Sequence, residues 1–158
     1  MPPDKDGEFT ITAAGPEAQA AIRAMIWAGR LNPLGLDWRR FLLARDGQGA
    51  IAGCVQVKPH RDGSRELASL YVLPSLRGAG AGSRLVSAIL EREQRDLWLT
   101  CRAGLAAYYR RFGFRTVENA AAMPTYFRRV WRIFNLPPGN SRLSVMVRER
   151  DQSTSSHH

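Results

Sequence analysis

The chain has 158 residues, an apolar fraction of 44% and a charged fraction of 23%, which fits a single self-supporting globular domain and excludes a disordered or fibrous chain. Its net charge of +9 comes almost wholly from arginine, 21 of the 23 basic residues; these are spread over nearly every segment apart from the stretch Phe127 to Arg132, so nucleic acid is not an expected partner. No run reaches the roughly 18 uninterrupted apolar residues that span a bilayer, and the opening Met1-Pro2-Pro3-Asp4-Lys5-Asp6 lacks the parts of a signal peptide; a cytoplasmic protein without a membrane partner is expected.

Cys54 and Cys101 lie in apolar runs without metal-ligand spacing, so they read as small buried hydrophobes and no metal is expected. Residues Phe9 to Thr12 read as a first strand. Gly15-Pro16 then opens a helix with Ala18, Ala21, Ile22, Met25 and Ile26 at helical spacing. Gly29 to Trp38 carries Asn32, Pro33 and Gly35 among apolar residues and reads as a structured loop. Phe41 to Ala44 and Ala50 to Val57 flank Asp46-Gly47-Gln48-Gly49, turn chemistry between antiparallel strands, and a second hairpin turn follows at Arg61-Asp62-Gly63-Ser64. Leu67 to Val72 is a further strand. After Pro74 come a glycine-rich turn, a helix with Leu85, Val86, Ile89 and Leu90 on one face, and the strand Leu97 to Cys101, the order of a parallel crossover. A helix from Ala103 to Arg111 ends at Gly113, and Phe114 to Val117 and Leu143, Val145, Val147 supply the last strands. Residues 1–150 are thus expected to form a single domain, with 151–158 a polar tail ending in His157-His158, native or left from a purification tag.

The turn Arg77-Gly78-Ala79-Gly80-Ala81-Gly82 places three glycines within five residues at the start of a helix. Such a backbone turns tightly, and the helix end offers unpaired N–H groups and the positive end of its dipole, a geometry suited to pyrophosphate. The triphosphate loop, which needs Gly-Lys followed by Ser or Thr at fixed spacing, does not occur in the chain. A dinucleotide motif counted from Gly78 and Gly80 meets Ser83 where its third glycine belongs.

Arg-x-x-Gly-x-Gly at Arg77, Gly80 and Gly82 follows Leu70-Tyr71-Val72-Leu73-Pro74, and further on stands Ala106-Ala107-Tyr108-Tyr109-Arg110-Arg111-Phe112-Gly113-Phe114. With these two landmarks in order, the chain resembles the GCN5-related N-acetyltransferases (GNAT), closely over residues 65 to 117. The resemblance implies an α/β (α+β) fold with a mixed central sheet of six to seven strands, flanking helices and a splay at the parallel pair near the cofactor. It also implies acetyl-CoA as cosubstrate and transfer to a primary amine by direct attack. Carried over, the edge Leu70, Tyr71, Val72 would take the pantetheine arm, and the backbone of Gly78, Ala79, Gly80, Ala81, Gly82 and Ser83 would bind the pyrophosphate, with Arg77 opening the motif. Tyr109 takes the place of the family's tyrosine general acid; the alternative is an aromatic packed on the helix face, with Tyr108 the expected core residue. Glu66 stands where some members carry a general base, or else is a surface glutamate at a strand end. The asparagine that many relatives carry after the strand Leu97 to Cys101 has no counterpart in Arg102-Ala103-Gly104-Leu105.

Acceptor choice falls to the segments that vary between members, here Leu31 to Trp38 and Met123 to Pro138. In the second, Tyr126, Phe127, Val130, Trp131 and Phe134 recur at helical spacing with Arg128, Arg129 and Arg132 interleaved, an amphipathic helix that would serve as a lid, a homodimer surface or core packing. If these arginines rim the acceptor site, neutral or acidic amines are favoured over polyamines. The competing function is a non-catalytic acetyl-CoA-binding regulatory module whose basic face binds nucleic acid.

Overall fold

The computed structural model describes residues 9–135 and 143–150. The polar tail and the end of the Met123 to Pro138 segment, residues 136–138, lie outside the described residues. The strands are β1 (Thr10–Ala13), β2 (Phe41–Arg45), β3 (Ile51–Pro59), β4 (Arg65–Val72), β5 (Leu97–Arg102), β6 (Arg115–Val117) and β7 (Leu143–Arg148); the helices are α1 (Gln19–Ala28), α2 (Ala81–Arg92), α3 (Ala106–Arg110) and α4 (Thr125–Asn135). The strands form a mixed seven-stranded sheet in the order β1-β2-β3-β4-β5-β7-β6, with β4 parallel to β5 through the pair Glu66 and Trp98, as the crossover reading requires. Two compact units can be distinguished, one from residues 9–58 and 67–92, the other from 59–66, 93–135 and 143–150.

In the first unit, β2 pairs antiparallel with β1 and β3. All of Phe41 to Ala44 is buried, because both faces of the strand are covered. Phe41 and Leu43 pack with Ile22, Met25 and Ile26 of α1, Cys54 and Tyr71. Strand alternation turns Leu42 and Ala44 to the other face, and α2 lies against β1 and β2. The first helix is shorter than its sequence suggests: Pro16–Ala18 is a 3-10 turn and α1 starts at Gln19. Gln19 holds the loop that follows α1, its Nε2 donating to Leu36 O at 2.7 Å and its Oε1 accepting from Trp38 N at 2.9 Å. Lys58 Nζ donates to Leu34 O at 2.8 Å in the same loop.

In the second unit, β7 pairs antiparallel with β5 and β6, and α4 seats Phe127, fully buried, among Val117, Met123, Val145 and Val147. Core packing therefore accounts for the apolar face of α4 around Phe127, whereas Ile133 and Phe134 at its end are exposed. Arg128 is part of that packing: its Nε donates to Ala120 O at 3.0 Å and its Nη2 to Met123 O at 3.1 Å. Asp62, in the turn between β3 and β4, accepts from the Tyr126 backbone N–H at 2.9 Å and so caps the start of α4. Burial raises the Asp62 pKa, but hydrogen bonds from Ser64 and Tyr126 outweigh it and hold the carboxyl below its usual value. A depressed carboxyl stabilises the fold above its unfolded pKa, and that contribution is lost as pH falls through the folded one. Asp62→Ala should thus cost about 1 kcal/mol near neutral pH and flatten the acid limb of thermal stability below about pH 4, as followed by circular dichroism.

Candidate active site

The strand–turn–helix predicted to bind pyrophosphate is present. Pro74–Leu76 forms a 3-10 turn after β4, and Gly78 and Gly80 then adopt φ +84° and +92°, the left-handed conformation that favours glycine. Hydrogen bonding within the helix begins with Arg84 N–H to Gly80 O at 3.0 Å, and helix geometry leaves the amides of Ala81 and Gly82 without an intrahelical acceptor. A Cβ built on Gly78 or Gly80 meets nothing within 4 Å, so the backbone there borders open space. The Ala81 side chain is buried and anchors the helix start. An anion fits this cradle: backbone donors, the helix dipole and absent side chains converge on it.

The β4 edge is more particular than its sequence suggests. Tyr71 is buried in the α1 core, so its side chain is not available to a ligand; Leu70 and Val72 are half-buried. Arg77 folds back on the strand, its Nε donating to Val72 O at 3.0 Å and its guanidinium lying 5.5 Å from the Tyr71 ring centre. The arginine of the motif thus braces β4, a role the glycine-centred reading of the turn leaves out. Leu73 N–H is bonded to Ala52 O at 2.9 Å. Within β4, Ser69 has φ +60°, a conformation that costs a non-glycine residue about 1–3 kcal/mol. Residues of β3 hold it there: Gln56 Nε2 donates to Ser69 Oγ at 2.8 Å and Cys54 Sγ to Ser69 O at 3.5 Å. Nothing in Leu67 to Val72 signals this break, although a buried glutamine and a serine on neighbouring strands are natural partners.

In the second unit, Ala103–Leu105 is a 3-10 turn and α3 occupies only Ala106–Arg110 of the helix predicted from Ala103 to Arg111. Gly113, at φ +89°, closes it as expected, and Arg148 Nε bonds Phe112 O at 3.0 Å. The two tyrosines exchange the packing roles assigned above: Tyr109 is buried and Tyr108 half-buried. Ala106 and Tyr109 are three apart and share the inward face, which turns Tyr108 aside. Tyr109 meets Tyr108 and Phe114 edge-on. Burial, with Cys101 and Tyr108 adding to it, pushes the Tyr109 phenol well above its usual range, so it stays protonated at any working pH. The two cysteines are free and buried, as expected, and burial pushes the Cys54 thiol up to about 12.

Glu66 is not a surface glutamate. It is 7% exposed, and its Oε1 lies 2.9 Å from His60 Nε2. The His60 ring stacks on Tyr126 at 3.7 Å. His60 was missed in the sequence, and Tyr126 was read only as part of the Met123 to Pro138 helix; the signal was that His60 and Glu66 flank the short Arg61 to Ser64 turn, where His60 pairs with Ser64 and Glu66 is a diagonal neighbour. No described hydrogen bond or ring contact joins Glu66 to Tyr109. No group of His, Cys, Asp and Glu among the described residues is arranged to hold a metal, and no described helix is long and apolar enough to cross a membrane.

Residues 37–116, half of the chain, match the family of the acetyltransferase (GNAT) domain, and the mixed sheet with its parallel β4–β5 pair is the fold that family implies. The chain belongs to the GNAT acetyltransferase family. Comparison with curated protein sequences finds no match. Among solved structures, N-acetylglutamate synthase from Neisseria gonorrhoeae, complexed with coenzyme A and N-acetyl-glutamate, superposes with a TM-score of 0.72 at 19% identity over 93% of this chain. The present chain spans 36% of that protein. Rv2747 from Mycobacterium tuberculosis, in complex with CoA and NLQ, gives 0.70 at 17% identity, covering 90% of this chain and 99% of that one. For yncA from Salmonella typhimurium, with its cofactor acetyl-CoA, the score is 0.67 at 18% identity, covering 96% and 99%. At these identities the likeness is one of fold.

Proposed function

We propose that this protein is an N-acetyltransferase that moves the acetyl group of acetyl-CoA to a primary amine by direct attack. The observation that carries this reading is that the family match at residues 37–116 takes in both the glycine turn, with its left-handed Gly78 and Gly80, and the helix bearing Tyr109. The turn amides take the pyrophosphate, the backbone of Leu70 to Val72 takes the pantetheine arm, and Arg77 keeps that strand in place through Val72 O.

Chemically, the acceptor ammonium must first lose a proton, the assignment given to Glu66, directly or through water. The amine lone pair then attacks the thioester carbon, the C–S bond breaks, and sulfur keeps the electron pair. Tyr109 donates its proton to sulfur. Because burial makes this phenol a weak acid, the transfer is coupled to release of the second N–H proton, which restores the phenol. The products are the amide, the free thiol of CoA and one proton released to solvent.

The acceptor is proposed to be a neutral or acidic amine. Arg129 and Arg132 on α4 are exposed and carry positive charge that would repel polyamines; Arg128, whose guanidinium is held on Ala120 O and Met123 O, is not free to move toward an acceptor. N-acetyl-glutamate in a fold neighbour makes glutamate a natural member of the first panel. Thiol release from acetyl-CoA should favour glutamate or an acidic peptide over spermidine by at least about tenfold in kcat/KM. Equal rates on both would remove the charge argument, and no thiol release with any amine would remove the proposed reaction.

A further inference from the structure

The turn between β3 and β4 lies outside both family landmarks, yet it supplies the partner of Glu66. His60 Nε2 stands 2.9 Å from Glu66 Oε1, and the two side chains are 15% and 9% exposed. Two aromatics of α4 fix the ring plane: Tyr126 stacks on it at 3.7 Å and 16°, and Phe127 meets it edge-on at 5.7 Å. The carboxylate then fixes its rotation. An ionised carboxylate only accepts, so a neutral imidazole facing it carries its proton on Nε2 and presents the Nδ1 lone pair as its basic nitrogen. No hydrogen bond among the described residues engages Nδ1.

We propose that His60 accepts the proton of the acceptor ammonium and that Glu66 is its positioning residue. This rests on the acetyl-transfer reading above and puts His60, in place of water, between the ammonium and Glu66. The N–H bond of the ammonium breaks, a bond to Nδ1 forms, and the imidazolium produced is paired with the Glu66 carboxylate until it gives the proton to solvent. The charged and titratable groups facing the ring are Glu66 from β4, Asp62 from its own turn and Tyr126 from α4. Tyr126 adds no charge, since burial and the Glu66 carboxylate raise its phenol pKa.

The test compares His60→Asn and Glu66→Gln with wild type, using thiol release with the best amine of the panel, CoA binding by calorimetry and a melting curve as a check on folding. His60→Asn should lower kcat by roughly 10²- to 10⁴-fold with CoA affinity kept, abolish the acid limb of the pH profile, and be partly rescued by added imidazole. Glu66→Gln should lower kcat less and keep the limb, because the ring loses only the partner that orients it. A folded His60→Asn enzyme with wild-type rate and limb would overturn the proposal and leave acetyl transfer standing, while a wild type that binds CoA but acetylates no amine would sink both. Nitrogen NMR of the wild-type imidazole tests the geometry independently of turnover: the Nε2–H tautomer is expected in the neutral ring, and the Nδ1–H tautomer would contradict the dyad.

Discussion

Tyr109→Phe should lower kcat by roughly 10²- to 10⁴-fold while leaving acetyl-CoA affinity nearly unchanged, as expected for loss of a general acid. The substitution removes one hydroxyl from a side chain already packed against Tyr108 and Phe114, so the ring keeps its place and the fold is retained. The same burial shapes the pH dependence. A phenol held well above its usual range is fully protonated wherever the enzyme works, so Tyr109 contributes no alkaline decline to the wild-type rate below about pH 10. Stopped-assay rates over that range, with binding followed by calorimetry, check both statements. A variant with wild-type kcat would make Tyr109 an ordinary core aromatic and leave the departing sulfur without its donor.

Gly80→Val should weaken acetyl-CoA binding by roughly 100-fold. Gly80 sits at φ +92°, which costs an L-residue about 1–2 kcal/mol and a β-branched one at least as much. The turn relaxes away from that conformer, and binding must restore it. The added side chain also stands in the open space beside the backbone where a phosphate would approach, and together these effects reach the roughly 2.7 kcal/mol that a hundredfold change in affinity represents. Gly49 provides the control. It has φ +82° with equally open surroundings, but lies in the turn between β2 and β3. Gly49→Val should therefore lower stability by a similar amount and leave cofactor affinity alone; equal losses of affinity in both variants would show that Gly80 acts only through the fold.

What was legible in the sequence was what depends on local chemistry. Gly78 and Gly80 mark a left-handed turn because no other residue adopts that φ cheaply. The apolar residues of α1 and α2 recur at the period that buries one face. The bounds of α1 and α3 slipped because proline, glycine and small residues permit a 3-10 turn before the α-helix proper, and composition does not separate the two. The Tyr108 and Tyr109 roles depended on a one-residue rotation about α3, decided by Ala106. Ser69 was invisible for another reason: its strained backbone is imposed by Gln56 and Cys54 of β3, a tertiary cause. Asp62 capping Tyr126 joins residues 64 apart, and no local pattern encodes it. The burial of Glu66 had the same origin, since His60, Tyr126 and Phe127 gather from a turn and a distant helix.

The central claim is tested most directly by incubating the protein with acetyl-CoA carrying a deuterated acetyl group and a panel of amino acids, acidic peptides and spermidine, then following the label by mass spectrometry. The account predicts the labelled acetyl group on the nitrogen of a neutral or acidic amine, with one free thiol released per acetyl transferred. Label that stays on CoA with every amine, from protein shown to bind the cofactor, would contradict it.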